Sequence, residues 1–407
     1  MATTTDTLLS WTRLRIAPRR AAYPTGVGAR LSDLAAERGR KLSVGIARLD
    51  GIGDWVLTLP LVQAVAQSPS VSSTSVIAPA SLRGLLERGF ADHFIPYSGG
   101  TILAPPPPGG LPGKVRAISW LTGQVAFREG ARHSADFDVV ILPRWDTDLG
   151  SNARAWAAGT RSVIVGFDPR AVPTTTARER REHVLLTDAV SNATPATHEI
   201  EHLRSLLTAL GLPRDIRAGY GADYFGVRRE LGATDSGRPY VVFHPLANQP
   251  RRQWPSANWR QLADLVIRTT DLDVVLIGSA GERERLLSIA EGFGDRVHVR
   301  ADVPLAALPE LLASADSFIG NDSGPLHVAS SVGVPVVMIS PHPRDGDPAH
   351  ANSPARFGPW GNRAQVLQPA TGLGRCVTSC TARTAHCITV IKPDEVLDSL
   401  RRVRGDA

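Results

Sequence analysis

The chain has 407 residues, 43% hydrophobic and 21% charged, a balance that fits globular domains with real cores and excludes wholesale disorder. Its length suggests two or three domains, and three cysteines in so long a chain exclude a disulfide scaffold. The net charge of +6 comes from 45 basic and 39 acidic groups that are scattered along the chain, without the basic stripe and aromatic platforms that nucleic-acid binding needs. Lysine occurs only at Lys41, Lys114 and Lys392, so the basic side is almost all arginine. No run approaches the roughly 18 apolar residues that span a bilayer. The opening MATTTDTLLSWTRLRIAPRR lacks the apolar core and small-residue cleavage site of a secretory leader. A cytoplasmic protein is expected.

Residues 1–41 read as a partly disordered extension, with a short helix over 31–38. Order begins with LSVGIARLD (42–50), a buried strand, followed by the turn GIGD (51–54) and the helical pattern WVLTLPLVQAVAQ. Further strands are expected at 74–77, 94–96, 138–142 and 162–166. Between them, APPPPGGLPG (104–113) reads as a surface loop, since consecutive prolines suit neither a helix nor a central strand. HEIEHLRSLLTALG (198–211) is an amphipathic helix with a glycine stop, and the polar, glycine-rich stretch 226–239 reads as a linker.

A second α/β series follows. Strands are expected at 240–247, 273–279, 297–300, 317–320 and 336–340, alternating with helices that begin at WPSANW, GERERLL, LAALPELL and SGPLHVASS. The alternation predicts parallel sheets with helices on both faces: residues 42–235 as one Rossmann-like domain and 236–407 as a second with a C-terminal helix, with ligands at the carboxyl ends of the strands.

Five clusters carry chemistry. Asp54 sits where a strand turns into a helix; it is either a cap or a general base for an attacking hydroxyl. In NQPRRQW (248–254), the adjacent Arg251 and Arg252 follow a strand, either as a solvated basic loop or facing an anion. Asn321-Asp322-Ser323-Gly324-Pro325 opens a helix with His327 one turn on. Such a terminus either caps itself with Asp322 or Ser323 or turns backbone N–H groups towards a diphosphate. In GSAGE (278–282), Glu282 follows a glycine-bearing strand end, as ribose-binding acids do, though no G-x-G-x-x-G or Walker A pattern is present. Cys376, Cys380 and Cys387, with His386 alongside, have a spacing that touches on zinc. Paired C-x2-C knuckles are missing and His386 is an awkward neighbour, so a thiol-rich structural turn without metal is the expectation.

Taken in order, IARLDGIGDWVLTLPLVQAV, RRQWPSANWRQLA, VLIGSAGERE, FIGNDSGPLHVASSVGVPVV and the cysteine-bearing tail ending in IKPDEVLDSL resemble glycosyltransferase family nine, the ADP-heptose:lipopolysaccharide heptosyltransferase-like enzymes. The resemblance spans roughly residues 42–403. It implies a GT-B architecture of two Rossmann-like domains facing across a cleft. The carboxyl-terminal domain would bind the nucleotide-diphosphate sugar, with an ADP-sugar favoured, and the amino-terminal domain a glycan or glycolipid acceptor. It also implies inverting transfer in cell-envelope glycan synthesis and no metal or other cofactor in catalysis. Composition and charge give the remaining expectations: no nucleic-acid partner, and a cytoplasmic location with peripheral contact at the inner face of the membrane. Carried over by position, the general base falls on Asp54 and the diphosphate cation on Arg252, where members commonly have lysine. The ribose acid falls on Glu282, the diphosphate loop on Asp322, Ser323 and Gly324, with His327 on the following helix. Asn248 takes the place of a small hydroxyl residue that contacts phosphate. A nucleotide-sugar epimerase and a non-catalytic nucleotide-sugar-binding protein are the alternatives.

Overall fold

The computed structural model describes residues 30–97, 125–133, 135–145, 150–160, 162–172, 180, 182–191, 198–361 and 363–405. Most of the expected amino-terminal extension and the whole proline-rich loop at 104–113 lie outside the described residues.

The chain forms two six-stranded sheets, and every strand pair is parallel. The first holds β1 (Leu42–Ala47), β2 (Val71–Pro79), β3 (His93–Tyr97), β4 (Val139–Leu142), β5 (Val163–Phe167) and β6 (Asp188–Val190), in the order β3-β2-β1-β4-β5-β6. The second holds β7 (Tyr240–His244), β8 (Asp273–Ile277), β9 (Val297–Arg300), β10 (Ser317–Asn321), β11 (Val336–Ile339) and β12 (Ala364–Leu367), in the order β12-β11-β10-β7-β8-β9. Both orders are that of a doubly wound nucleotide-binding sheet. The winding reverses between β1 and β4 in one and between β7 and β10 in the other, which is where such sheets bind ligands.

The central strands are continuous apolar runs because helices cover both sheet faces. VVIL of β4 and VVMI of β11 are buried at every position. β6 and β12 have no counterpart among the sequence expectations. They are edge strands of three and four residues, only half-buried or exposed along their length, so they carry no apolar run to announce them.

The helices follow the same logic. α1 (Leu31–Arg38) buries Leu31 and Leu34. α2 (Ile52–Ala66) is apolar nearly all round and contains Pro60, which removes one hydrogen bond of the helix ladder. α3 (Gly150–Gly159) packs Ala153, Trp156, Ala157 and Ala158 into the core of the first sheet, and α4 (Glu199–Ala209) follows β6 in the chain. α5 (Ser256–Thr269) buries Trp259, Leu262, Ala263 and Val266, an i, i+3, i+4, i+7 stripe. α6 (Arg283–Ala290), α7 (Leu308–Ser314), α8 (Gly324–Ser331) and α9 (Pro393–Arg404) complete the second sheet's cover. α9 adds Val396, Leu397, Leu400 and Val403 to the core that α5 shares with β7 and β8. Each fully buried aliphatic or aromatic side chain contributes roughly 1.5–3 kcal/mol.

Two compact units result. One comprises Met1–Asp50, Leu61–Thr194 and Glu201–Arg214; the other comprises Gly51–Pro60, Pro195–Ile200 and Asp215–Ala407. The first turns of α2 therefore belong with the second unit, and the change falls at Pro60. The second unit also contains a buried ion pair, with Arg356 donating to Glu199. No helix among the described residues is long and apolar enough to cross a membrane.

Candidate active site

At the reversal point of the second sheet, His244 ends β7 opposite Gly320 of β10. β10 then runs through Asn321 and Asp322 into Ser323, the residue before α8. Ser323 has extended backbone geometry, as an N-cap does, but its hydroxyl caps nothing. It donates to the Asn321 carbonyl (3.1 Å) and meets His244 Nδ1 (2.9 Å). The capping reading of this turn therefore fails for the Ser323 side chain, and the hydroxyl is held at the sheet edge.

The start of α2 is built against this turn. A Cβ on Gly324 would lie 2.7 Å from Ile52 Cβ, and one on Gly53 would lie 2.5 Å from His327 Cδ2. Neither neighbour can retreat easily: His327 is buried, and the Ile52 contact is at its backbone-proximal carbon. Only glycine at both positions allows the two turns to meet so closely. The approach brings the first turn of α2, which carries Asp54, up to His327.

His327 reports the charges around it. Burial pushes its imidazole below the ordinary range, the Asp322 and Asp54 carboxylates pull it back up, and Arg252 pushes it further down. Three of the sequence-selected charges thus act on one side chain. Among the described residues, His327 Nδ1 is buried and has no hydrogen-bond partner.

Arg252 ends a single 3-10 turn, Pro250–Arg252, after β7. Its guanidinium pairs with Asp322 (Nη1 to Oδ2, 3.4 Å) and donates to Asn352 Oδ1. The buried Trp254 fixes the end of this loop: its N–H donates to Asn321 Oδ1 (3.2 Å) and its indole Nε1 to the Ile391 carbonyl (3.0 Å). Glu282 is half-buried and closes a capping box, with Oε2 accepting from the N–H (2.8 Å) and hydroxyl (2.6 Å) of Ser279. It also acts on His244 across the strand ends. Asn248 is exposed in the loop after β7, apart from the hydrogen bonds that join the other site residues among the described residues.

His244 itself was not singled out by the sequence, because it reads as one more residue of the strand expected at 240–247. Burial pushes its pKa down to about 4, with Glu282 pulling in the opposite direction. A histidine that is neutral when folded and near its ordinary 6.5 when unfolded takes up a proton only on unfolding between those values. Its stabilising contribution is present above pH 6.5 and is lost as pH falls towards 4, on the order of 3 kcal/mol in all. Melting curves from pH 7 to 4.5 should show this loss. His244→Gln should flatten the slope by up to about 1.4 kcal/mol per pH unit, the value for one proton. An unchanged slope would assign the acid sensitivity to other groups.

The first sheet carries a second charged cluster at its own reversal point. Beyond β1, Arg48 Nε donates to Asp50 Oδ2 (2.9 Å); beyond β4, Arg144 Nη1 donates to the same oxygen (2.5 Å). Arg154 of α3 lines the same small recess. Sequence reading passed over these residues. The available signal was ARLD, where charges appear abruptly at the end of an apolar strand.

Comparison with known proteins bears on this arrangement. The profile of glycosyltransferase family 9 (heptosyltransferase) matches residues 161–382. Lipopolysaccharide heptosyltransferase 1 of Pseudomonas aeruginosa is 33% identical over 144 residues, which cover 35% of this chain and 39% of that protein. The matches to the next curated lipopolysaccharide heptosyltransferases likewise span less than half of their length. Lipooligosaccharide heptosyltransferase 2 of Haemophilus ducreyi is 20% identical over 380 residues, covering 86% of this chain and 96% of that protein. Among solved structures, E. coli heptosyltransferase WaaC with ADP aligns with a TM-score of 0.64 at 19% identity, covering 89% of this chain and 99% of that one. At that identity the likeness concerns the fold, the GT-B class of α/β architecture, which agrees with the two parallel sheets described above.

Proposed function

The chain belongs to glycosyltransferase family 9, and from that premise we propose that it is an inverting enzyme that moves a heptose or related sugar from an ADP-sugar to a hydroxyl of a lipopolysaccharide-type glycolipid. The close packing of the first turn of α2, which carries Asp54, on the Ser323–His327 turn, where Arg252 pairs with Asp322, is the observation that carries this reading. Relatives named for heptosyl transfer, and a neighbour solved with ADP, support the donor class.

On this reading the donor diphosphate lies at the start of α8. The dipole of that helix and the N–H groups of Ser323 and Gly324 favour negative charge there. Arg252 adds a cation. The acceptor hydroxyl oxygen attacks the anomeric carbon from the face opposite the diphosphate. Asp54 takes the hydroxyl proton as the new C–O bond forms, and the bond to the diphosphate breaks. Charge accumulates on the leaving diphosphate, where fixed donors are typically worth about 3–4 kcal/mol. Glu282 accepts from ribose hydroxyls through the oxygen its capping box leaves open. The recess lined by Arg48, Arg144 and Arg154 suits an anionic group on the acceptor. The expectation of contact with the inner membrane face forms part of the same proposal.

A melting panel of ADP-, GDP-, UDP- and dTDP-sugars tests the donor assignment. A ligand at a hundredfold excess over its Kd stabilises by about 2.7 kcal/mol. ADP-heptose should raise Tm by a few degrees and the other three should not. Incubating the preferred donor alone and finding an isomer would instead favour epimerisation, and no shift with any nucleotide sugar would remove the donor site.

A further inference from the structure

We propose that Cys376, Cys380, His386 and Cys387 form a tetrahedral structural zinc site. The four candidate ligand atoms all lie within 4.8 Å of one another. His386 Nδ1 is 3.7 Å from Cys376 Sγ and 3.4 Å from Cys387 Sγ. In a zinc tetrahedron with bonds of about 2.3 Å to sulfur and 2.0–2.1 Å to nitrogen, S···N edges are about 3.5 Å and S···S edges about 3.8 Å. The cluster needs only a small contraction to reach that geometry. All three cysteines are buried and none is in a disulfide. Two sulfurs already accept backbone N–H groups, Cys376 Sγ from Thr381 and Cys387 Sγ from Leu373, each at 3.5 Å. Such donors suit thiolates better than thiols. The adjacency of His386 and Cys387, an obstacle when read from spacing, is resolved by the 3-10 turn Cys387–Val390, which starts between them.

The surrounding chain explains why an ion would be retained. Residues 368–386 contain neither helix nor strand. Segments without regular structure longer than about 12–15 residues are uncommon in compact domains. The three cysteines form a small cluster of their own, and among the described residues the partly buried hydrophobics packed against it are Leu373 and Ala382. That is too little apolar surface to order such a loop alone. Binding as thiolates, the cysteines release their protons to solvent. Neutral His386 supplies the fourth bond, which closes the coordination sphere and leaves no position for substrate.

The ordered loop in turn supports the one behind Arg252. The Thr378 carbonyl accepts from Asp347 N–H (2.8 Å), the Pro369 carbonyl accepts from Arg344 N–H (2.9 Å), and Gln368 Nε2 donates to the His342 carbonyl (2.9 Å). That neighbouring loop carries Asn352, the partner of the Arg252 guanidinium. The zinc site is therefore a brace for the loop that carries Asn352, and through Asn352 for Arg252, separate from the reacting groups.

Elemental analysis of the full-length wild-type protein, purified without added metal, tests this directly and requires no variant to fold. Close to one zinc per chain is expected, falling below about a tenth in Cys380→Ser. Stripping with a chelator should lower Tm, and zinc chloride should restore it. Cobalt(II) in its place should give the thiolate charge-transfer and visible bands of a tetrahedral site. Iron at the site instead, a metal-free protein whose melting ignores chelator and zinc chloride, or full zinc content in Cys380→Ser would each overturn the assignment.

Discussion

Asp54→Asn should lower the turnover of ADP-heptose with a glycolipid acceptor by about a thousandfold while leaving ADP affinity within about threefold of wild type; general bases typically contribute 10²–10⁴-fold. The substitution is nearly isosteric, so the close packing of Gly53 on His327 and of Gly324 on Ile52 survives it. What is lost is the capacity to take a proton. Asp54 also sits in the first turn of α2, where a carboxylate favours the helix by about 0.3–1 kcal/mol. A pure helix-terminus role therefore predicts a melting shift of a degree or two and unchanged kinetics. Transfer measured by mass spectrometry, with ADP binding measured by calorimetry, separates the two roles. Weakened ADP binding with normal turnover would place Asp54 in donor recognition and remove it from proton transfer.

The parts of this molecule that could be read in its sequence are those governed by burial. The apolar runs at 42–47, 139–142 and 240–244 announced strands because both faces of a parallel sheet are covered. α5 announced itself through the period of Trp259, Leu262, Ala263 and Val266. β6 and β12 were silent because an edge strand makes its bonds without a buried face. In the site, Asp54, Arg252, Asp322, Ser323, Gly324 and His327 were selected as charged or small residues at strand ends, and the structure brings them together. His244, Asn352 and the Arg48–Asp50–Arg144 group were not. Their significance lies in partners 79, 100 and 94 positions away in sequence, and spacing along the chain carries no trace of such pairings. That His386 lies with the three cysteines was illegible for a related reason: the 3-10 turn that starts between neighbouring His386 and Cys387 is invisible in a spacing rule.

Arg252→Ala should cost about 10²–10³ in kcat/KM, the range seen when a fixed donor to a developing oxyanion is removed. Two residues hold Arg252 in place. Its side chain, 22% exposed, is pinned between the Asp322 carboxylate and Asn352, so its guanidinium is ordered before any ligand arrives. Removing it has two effects. On the proposed reading the diphosphate would lose a cation, and Asp322, with its side chain only 8% exposed, would face the incoming anion without its counter-charge. Arg252→Lys keeps the charge but gives up the planar fork that serves Asp322 and Asn352 together, so a loss of about tenfold is expected. Adding Asp322→Asn to Arg252→Ala should recover part of the lost donor affinity, because the residual repulsion comes from that carboxylate. A coupling of about 1 kcal/mol or more in this double-mutant cycle, read from ADP binding, would show that the pair acts as a unit. Additive losses with no recovery would mean that Arg252 acts on the donor alone, and full activity in Arg252→Ala would move the diphosphate away from this loop.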